Sequence, residues 1–415
     1  MKQYVIIGNG VAAAGCIEGI RSVDTESKIV VISEEKHAVY CRPLISYYLE
    51  GKTDLQRMKY RSDDYYEKMG CEVIYGKKAV KIDSSAKTVI LDDDTSIPYT
   101  SVCIATGSAP FVPPFAGLKS VENKFSFMTI DDTLALESAV NKDSKVLIIG
   151  AGLIGLKCAE GLKDRVAQIT VCDLANRVLS SILDDECASM MQKNLEANGI
   201  SFMLGDSAER FEKNTAFMKS GKTVDFDVLV LAVGVRANTS LASEIGGEVN
   251  RGIIINERME TTVDSVYAAG DCTEGEDISF GSRRVLAILP NAYMQGKCAG
   301  VNMSGGNEVF NNAIPMNSIG FFGLHAMTAG SYFGEADGGE MYEEKTENTL
   351  KRMFTRDGLL TGYILIGNTD RAGIYTSLIR EKTPLNTLNF DMLKKSATFA
   401  AFPQESRRNK FGGVV

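Results

Sequence analysis

Tyr4-Val5-Ile6-Ile7-Gly8-Asn9-Gly10-Val11-Ala12-Ala13 is an apolar run that breaks into a glycine turn and then into small, helix-compatible residues. The same order returns at Val146-Leu147-Ile148-Ile149-Gly150-Ala151-Gly152-Leu153-Ile154-Gly155. A strand, a tight turn and a helix start suit a dinucleotide pyrophosphate, because backbone N–H groups and the positive end of the helix dipole then face it. Of the three small residues in each turn, one makes the bend, one lets the phosphate approach and one packs helix on sheet. A lone turn of this kind is weak evidence. Two of them, each in the right context, predict two dinucleotides on one chain.

An acid stands where the second strand of each unit should end. Ser33, Glu34 and Glu35 follow Lys28–Ile32, and Asp173 follows Ala167–Cys172. A carboxylate at that tip accepts hydrogen bonds from ribose hydroxyls. Beside a 2′-phosphate it is a like charge, so Asp173 predicts NADH over NADPH, with Arg177 near enough to soften the preference. The competing reading of either acid is a solvated side chain at a strand end.

Composition sets the wider frame. The 415 residues predict two or three domains, each with its own core. A net charge of −8 gives no support to nucleic acid or an anionic membrane as partner. No stretch reaches 18 uninterrupted apolar residues, so no membrane span is expected. Met1-Lys2-Gln3 passes straight into the first strand with no stretch resembling a signal peptide, and a cytoplasmic location is expected. The nine cysteines contain no C-x-x-C pair and no close group of four. The two histidines, His37 and His325, lack metal-ligand spacing. No metal site is expected, so electrons must move on bound organic cofactors.

Along the chain, residues 1–110 carry the first βαβ unit, a hairpin-like stretch at Glu72–Leu91 and the strand Ser101–Ala105, which ends in Thr106-Gly107-Ser108. The proline-rich segment from Pro110 to Pro114 reads as a linker. The second unit begins at Lys145 and closes with Asp227–Val233 and Gly234. Gly252–Ile255 and Val266-Tyr267-Ala268-Ala269-Gly270-Asp271 follow. Beyond residue 315, strand-like pieces (Arg352–Phe354, Gly362–Ile366) and a helix from Arg371 to Arg380 predict an α+β C-terminal domain.

In order, Gly8-x-Gly10-x-x-Ala13, Ala105-Thr106-Gly107, Gly150-x-Gly152-x-x-Gly155, Ala232-Val233-Gly234 and Ala269-Gly270-Asp271 resemble the FAD-dependent pyridine nucleotide–disulfide oxidoreductase superfamily. The likeness covers essentially the whole chain. Within it, Tyr40-Cys41-Arg42-Pro43-Leu44-Ile45-Ser46 resembles a segment of rubredoxin reductases, ferredoxin reductases and the flavoprotein half of NADH-dependent nitrite reductases. The C-terminal stretch from Gly362-Tyr363 to Arg371-Ala372-Gly373 is similar to the last two groups' relatives without further domains.

The resemblance implies an α/β fold with two Rossmann-like domains of the three-layer ββα type and an α+β C-terminal domain. An FAD-binding domain would take 1–110 and 239–312, an NAD(H)-binding domain 111–238, and the C-terminal domain 313–415. It implies that Gly8, Gly10 and Ala13 hold the FAD pyrophosphate, with Glu34 on the adenosine ribose and Val80 touching adenine through its backbone. Arg42 and Pro43 would lie by the isoalloxazine, and Ala105, Thr106 and Gly107 would close over the FAD. Asp271 would meet the ribityl or pyrophosphate end, helped by the helix start near Asn291 and Ala292. Gly150, Gly152, Ile154, Gly155, Asp173 and Gly234 would line the NADH site. For Val80 and Ala105, plain core packing is the rival reading.

Three departures from the superfamily pattern shape the expected chemistry. The flavin-facing cysteine of thiol-using members aligns near Tyr40, and Cys41 is one position away, where a side chain turns to the opposite face. The His–Glu acid–base pair of glutathione reductase relatives is absent. Lys157 occupies a position where relatives carry glutamate, generally near the nicotinamide–flavin junction; the alternative is a solvated helix lysine. The expected function is hydride transfer from NADH to FAD and delivery of electrons, one at a time, to rubredoxin, an iron–sulfur protein or a partner subunit. Arg42 and Lys157 are expected to raise the flavin potential. Two rivals stand beside this: a Cys41-dependent NADH oxidase or coenzyme A disulfide reductase, and a non-catalytic NAD-sensing flavoprotein.

Overall fold

β-Branched residues dominate both apolar runs, and each becomes the central strand of a parallel sheet covered on both faces. In the computed structural model, which describes residues 2–331 and 338–411, Gln3–Ile7 lies between Lys28–Ser33 and Ser101–Ile104. Cys71–Tyr75 and Val266–Ala268 complete a five-stranded, all-parallel sheet. Ile7 pairs with both Ile32 and Ile104, so three strands finish level. The first glycine turn, the Ser33-Glu34-Glu35 tip and Ala105-Thr106-Gly107 therefore emerge together at the carboxyl edge, where open α/β sheets take their ligands.

The second sheet repeats the plan. Lys145–Ile149 lies between Gln168–Asp173 and Val228–Leu231, with Ile200–Leu204 and Lys124–Phe125 outside them, again all parallel. A three-stranded antiparallel sheet accompanies each: Ala79–Asp83, Thr88–Leu91 and Ser96–Pro98 with the first, and Ala208–Glu212, Thr215–Met218 and Thr223–Asp225 with the second. Ile82, Val89, Leu91 and Ile97 share the first sheet's core, while Phe211, Ala216, Met218 and Phe226 share the second's. Each fully buried aliphatic side chain contributes about 1.5–3 kcal/mol. Val11–Arg21 packs directly against Leu289–Met303, and a Cβ on Gly296 would stand 2.0 Å from the Ala12 carbonyl oxygen, so backbone meets backbone.

The chain divides into two compact units, Met1–Gly275 with Arg284–Phe310, and Glu276–Arg283 with Asn311–Val415. Both parallel sheets belong to the first. The second holds an antiparallel sheet ordered Met316–Phe321, Leu324–Gly330, Leu359–Ile366, Leu350–Arg356, Glu340–Lys345, with the helix Gly373–Arg380 laid on it through Tyr363 and Tyr375. Positions 332–337 and 412–415 of the expected C-terminal domain, and Met1, lie outside the described residues.

Some local expectations are corrected. Glu72–Leu91 is no single hairpin: Cys71–Tyr75 joins the parallel sheet beside Lys28–Ser33, and the chain turns at Gly76 before the true hairpin of Ala79–Asp83 and Thr88–Leu91. Part of the expected linker is a strand, since Ser108–Pro110 pairs with Val235–Ala237. The helix expected from Arg371 begins at Gly373 because Arg371 has a φ of 56°, a left-handed conformation that a helix interior excludes.

Candidate functional site

The two glycine turns have the same geometry. Gly8 has a φ of 112° and Gly150 a φ of 117°, a region that L side chains avoid. A Cβ on Gly8 would lie 2.1 Å from the Ala105 carbonyl oxygen, and one on Gly150 would lie 2.2 Å from that of Ala232. Each amide is held by the neighbouring strand: Gly8 donates to Ile32 O and Gly150 to Cys172 O. At Gly10 and Gly152 a Cβ would meet nothing within 4 Å, so open space lies in front of both turns.

Gly10 and Gly152 are also the N-caps of Val11–Arg21 and Leu153–Leu162, and neither helix start has a side-chain cap. The helices Ile130–Ala139 and Asp185–Ala197 differ, being capped by Thr129 with Asp132 and by Asp184. A helix start without its own cap keeps N–H donors for an anion. This pairing of open cradle and uncapped helix fits a bound dinucleotide pyrophosphate at both turns.

Around the first turn the structure gathers the residues expected there. Ala13 is buried inside its helix. The Ala105-Thr106-Gly107 segment is clamped by Asn238, whose amide Nδ2 donates to Thr106 O at 2.8 Å and whose backbone N–H donates to Gly107 O. Gly270 is adjacent to Ala12 and Ala292, which brings Asp271 and the buried Asn291 to the same edge. Gln295 fixes that loop by accepting from Gly270 N at 2.9 Å. Burial pushes the Asp271 carboxyl above its ordinary range, and the Arg42 guanidinium opposes that push. Val80 is exposed, against the core-packing alternative, and the pairing register of its strand skips it, leaving it at a bulge.

Glu34 and Glu35 separate. Glu34 points to solvent and pairs with Lys78 at 3.2 Å. Glu35 turns inward: one carboxylate oxygen accepts from Arg42, and the other accepts from the Tyr40 hydroxyl at 2.7 Å. The same hydroxyl accepts from Arg42 Nη1 at 3.1 Å and from Ile130 N at 3.2 Å. Cys41 is extended between Tyr40 and Arg42. Its backbone N–H donates to Met58 O at 2.8 Å. Burial pushes its thiol up. Arg42-Pro43-Leu44 then forms a single helical turn, with Pro43 exposed.

Around the second turn, Gly155 closes tightly on it, since a Cβ there would be 2.0 Å from Gly150 O. Ile154 is half-buried, and Gly234 has open space before it. Asp173 accepts from Ala151 N at 2.6 Å and from Ala175 N at 2.8 Å, so the acid at the strand tip also braces the turn. Arg177 is bound to Asp185 at 2.9 Å and to the carbonyls of Leu183 and Ser180.

Residues 37–52 form a strap from the first half onto the helices of the second. His37 pairs with Asp131 at 2.9 Å, Arg42 donates to Met128 O, and the Tyr48 hydroxyl donates to Glu137. A Cβ on Gly161 would be 2.9 Å from Leu49 Cβ, so helix meets helix closely here. Lys157 lies on that helix. Its ammonium pairs with the buried Glu160 at 2.6 Å and sits 5.2 Å from the Tyr47 ring centre. Both expected cations, Arg42 and Lys157, therefore carry a carboxylate of their own, a pairing not read from the sequence. The signal for Arg42 was present: Tyr40 and Arg42 are two apart in sequence, with a second acid beside Glu34.

Among the described residues there is no cluster able to hold a metal ion, and no helix is long and apolar enough to cross a membrane. All nine cysteines are free thiols.

Comparison with known proteins agrees with this geometry. The family model for pyridine nucleotide-disulphide oxidoreductases matches residues 2–296. The NADH-dependent phenylglyoxylate dehydrogenase subunit epsilon of Aromatoleum evansii is 32% identical over 397 residues, 93% of each chain. The nitrite reductase [NAD(P)H] of Bacillus subtilis is 30% identical over 93% of this chain, which spans only 48% of that protein. Among solved structures, putidaredoxin reductase in its covalent complex with putidaredoxin superposes with a TM-score of 0.87 at 21% identity, covering 96% of this chain and 99% of that one. With two dinucleotide cradles on two parallel sheets, the chain belongs to the pyridine nucleotide-disulphide oxidoreductase family and is an NAD(P)H-dependent flavoprotein oxidoreductase, with FAD and NADH as its cofactors.

Proposed function

We propose that this chain oxidises NADH and passes the electrons outward to a small redox protein, rubredoxin or an iron–sulfur protein, or to a partner subunit. The observation that carries the reading is the setting of Cys41: the neighbouring Arg42 guanidinium is engaged by Glu35 and Tyr40, and burial raises the Cys41 thiol instead of stabilising a thiolate. The dehydrogenase relative, named as a subunit, supports a chain that works with others. So does the structural neighbour, a reductase covalently joined to its redox partner.

The first cradle would hold FAD, with Gly8, Gly10 and Ala13 at the pyrophosphate, Glu34 on the ribose and Val80 beside adenine. Arg42 and Pro43 would flank the ring system, while Ala105, Thr106, Gly107, Asp271, Asn291 and Ala292 close the pocket. The second would hold NADH along Gly150, Gly152, Ile154, Gly155, Asp173 and Gly234. When bound, FAD supplies hydride acceptance from NADH and release of electrons singly. The protein's contribution is orientation: the strap couples the two cradles through Arg42, Tyr48 and the close contact at Gly161, so donor and acceptor approach in a fixed geometry. Asp173 disfavours a 2′-phosphate by like charge.

Steady-state NADH oxidation against rubredoxin, ferredoxin, viologen dyes and oxygen tests the proposal. Rapid reduction of one protein carrier supports it. Turnover confined to oxygen or a disulfide, and lost in Cys41→Ser, would establish the thiol enzyme instead. Flavin bleaching by NADH without turnover on any acceptor would leave a sensor.

A further inference from the structure

Glu35 has no role in the nucleotide contacts expected of the first cradle, yet both its carboxylate oxygens are engaged at the base of that cradle. One faces the Arg42 guanidinium and the other accepts a hydrogen bond from the Tyr40 hydroxyl at 2.7 Å. Tyr40 in turn accepts from Ile130 N, at the start of a helix of the second half. Arg42 also interacts electrostatically with Asp271, so two acids act on one guanidinium. Arg42 alone would favour any ligand that gains negative charge. Paired with Glu35 it is close to neutral.

From this arrangement we infer that Glu35 is the residue that sets the reducing power of the bound flavin, by cancelling the Arg42 charge and holding the guanidinium against Tyr40. The inference rests on FAD occupying the first cradle. Reduction by hydride adds two electrons and one proton, leaving the pocket one unit more negative, so a neighbouring cation favours the reduced form and a carboxylate opposes it. With Glu35 present the opposition is strong and electrons leave readily. Tyr40 is a positioning residue: it carries no charge and fixes Glu35 and Arg42 at one distance from each other. The helix that donates to Tyr40 gives the nucleotide half a grip on that distance.

The test is the two-electron midpoint potential of the purified holoprotein, measured by equilibration with reference dyes, with neither NADH nor an acceptor protein present. Glu35→Gln is expected to shift the NADH–flavin equilibrium about tenfold toward reduced flavin, equivalent to about 30 mV more positive. Arg42→Gln should move it the opposite way, and the effect of Glu35→Gln should largely vanish in the Arg42→Gln background, since the carboxylate acts through the guanidinium. Tyr40→Phe, which keeps both charges, should move the potential least. If Glu35→Gln does not retain flavin, Glu35→Asp takes its place, because the shorter side chain loosens the pair and a smaller positive shift is expected. An unchanged or more negative potential in the glutamine variant, or in the aspartate variant where that one must be used, overturns the inference. So does an equal shift with and without Arg42. Loss of NADH-driven carrier reduction at an unchanged potential would count against the proposed function and also against this role for Glu35. A shifted potential with no carrier reduced would sustain the role and refute only the carrier.

Discussion

The two glycine turns share one backbone and differ in everything attached to it. Gly8 and Gly150 are nearly superimposable in φ, in the strand amide they satisfy and in the carbonyl that forbids a Cβ. At the third small position, Ala13 carries a methyl group, whereas a Cβ on Gly155 would collide with Gly150 O at 2.0 Å. The acids diverge as well, with Glu34 reaching solvent and Asp173 folding back onto Ala151 N. Phosphate binding demands a fixed backbone shape, so that shape recurs. Which nucleotide is bound, and how tightly, is left to side chains free to vary.

Separate lesions are the strongest way to break this comparison. Gly8→Ala should yield protein without FAD, because the new methyl group meets backbone at 2.1 Å and strains the turn. Gly150→Ala should stay yellow, with one FAD per chain, and lose NADH affinity by roughly 100-fold, or about 2.7 kcal/mol. Flavin content of purified protein and the KM for NADH read both; the opposite pattern would swap the two cradles.

The third small position offers a sharper contrast. Gly155→Ala should cost about 1–3 kcal/mol of strain, seen as a raised KM and a lower Tm. Ala13→Gly should cost about 1 kcal/mol in stability by helix propensity alone and leave flavin bound. Equal effects of the two substitutions on nucleotide binding would erase the asymmetry.

Asp173 comes next in expected size. The wild type should prefer NADH by at least about tenfold in kcat/KM, since a like-charge clash of about 1.4 kcal/mol is enough. Asp173→Ala should narrow the gap from both sides, because it removes the clash and also the brace on Ala151. A variant that gains NADPH activity with NADH kinetics unchanged would show that the brace has no energetic weight. The smallest effect belongs to Cys41→Ser, which should keep most NADH-dependent dye reduction. Because its thiol is raised above the ordinary value, it is protonated at neutral pH, and iodoacetamide should label it more slowly than free cysteine, gaining rate as pH rises.

The turns were legible because they are local: strand, glycines and helix start lie within ten residues, and their physics is backbone geometry. The parallel sheets and the acids at their tips were legible for the same reason. Pairings between distant residues were not. Nothing in Glu34-Glu35 shows which acid faces solvent and which faces Arg42, since that is decided by Tyr40 and Ile130 meeting across the strap. Lys157 read as a lone cation because Glu160, one helical turn on, is an ordinary helix residue until it is found buried beside the ammonium. Lys157→Met should therefore cost about 1–3 kcal/mol in stability, by removing the ion pair to the buried Glu160, an effect visible in Tm. Nor does the sequence show that Asn238 clamps Thr106 and Gly107 with three hydrogen bonds.

Anaerobic titration of the holoprotein with NADH tests the central claim most directly, because it counts the electrons the chain can hold. A flavin working without a thiol partner takes two electrons, so full bleaching should require one NADH per FAD. Two equivalents, with a long-wavelength charge-transfer band from a thiolate against oxidised flavin, would contradict the account and make Cys41 a redox centre.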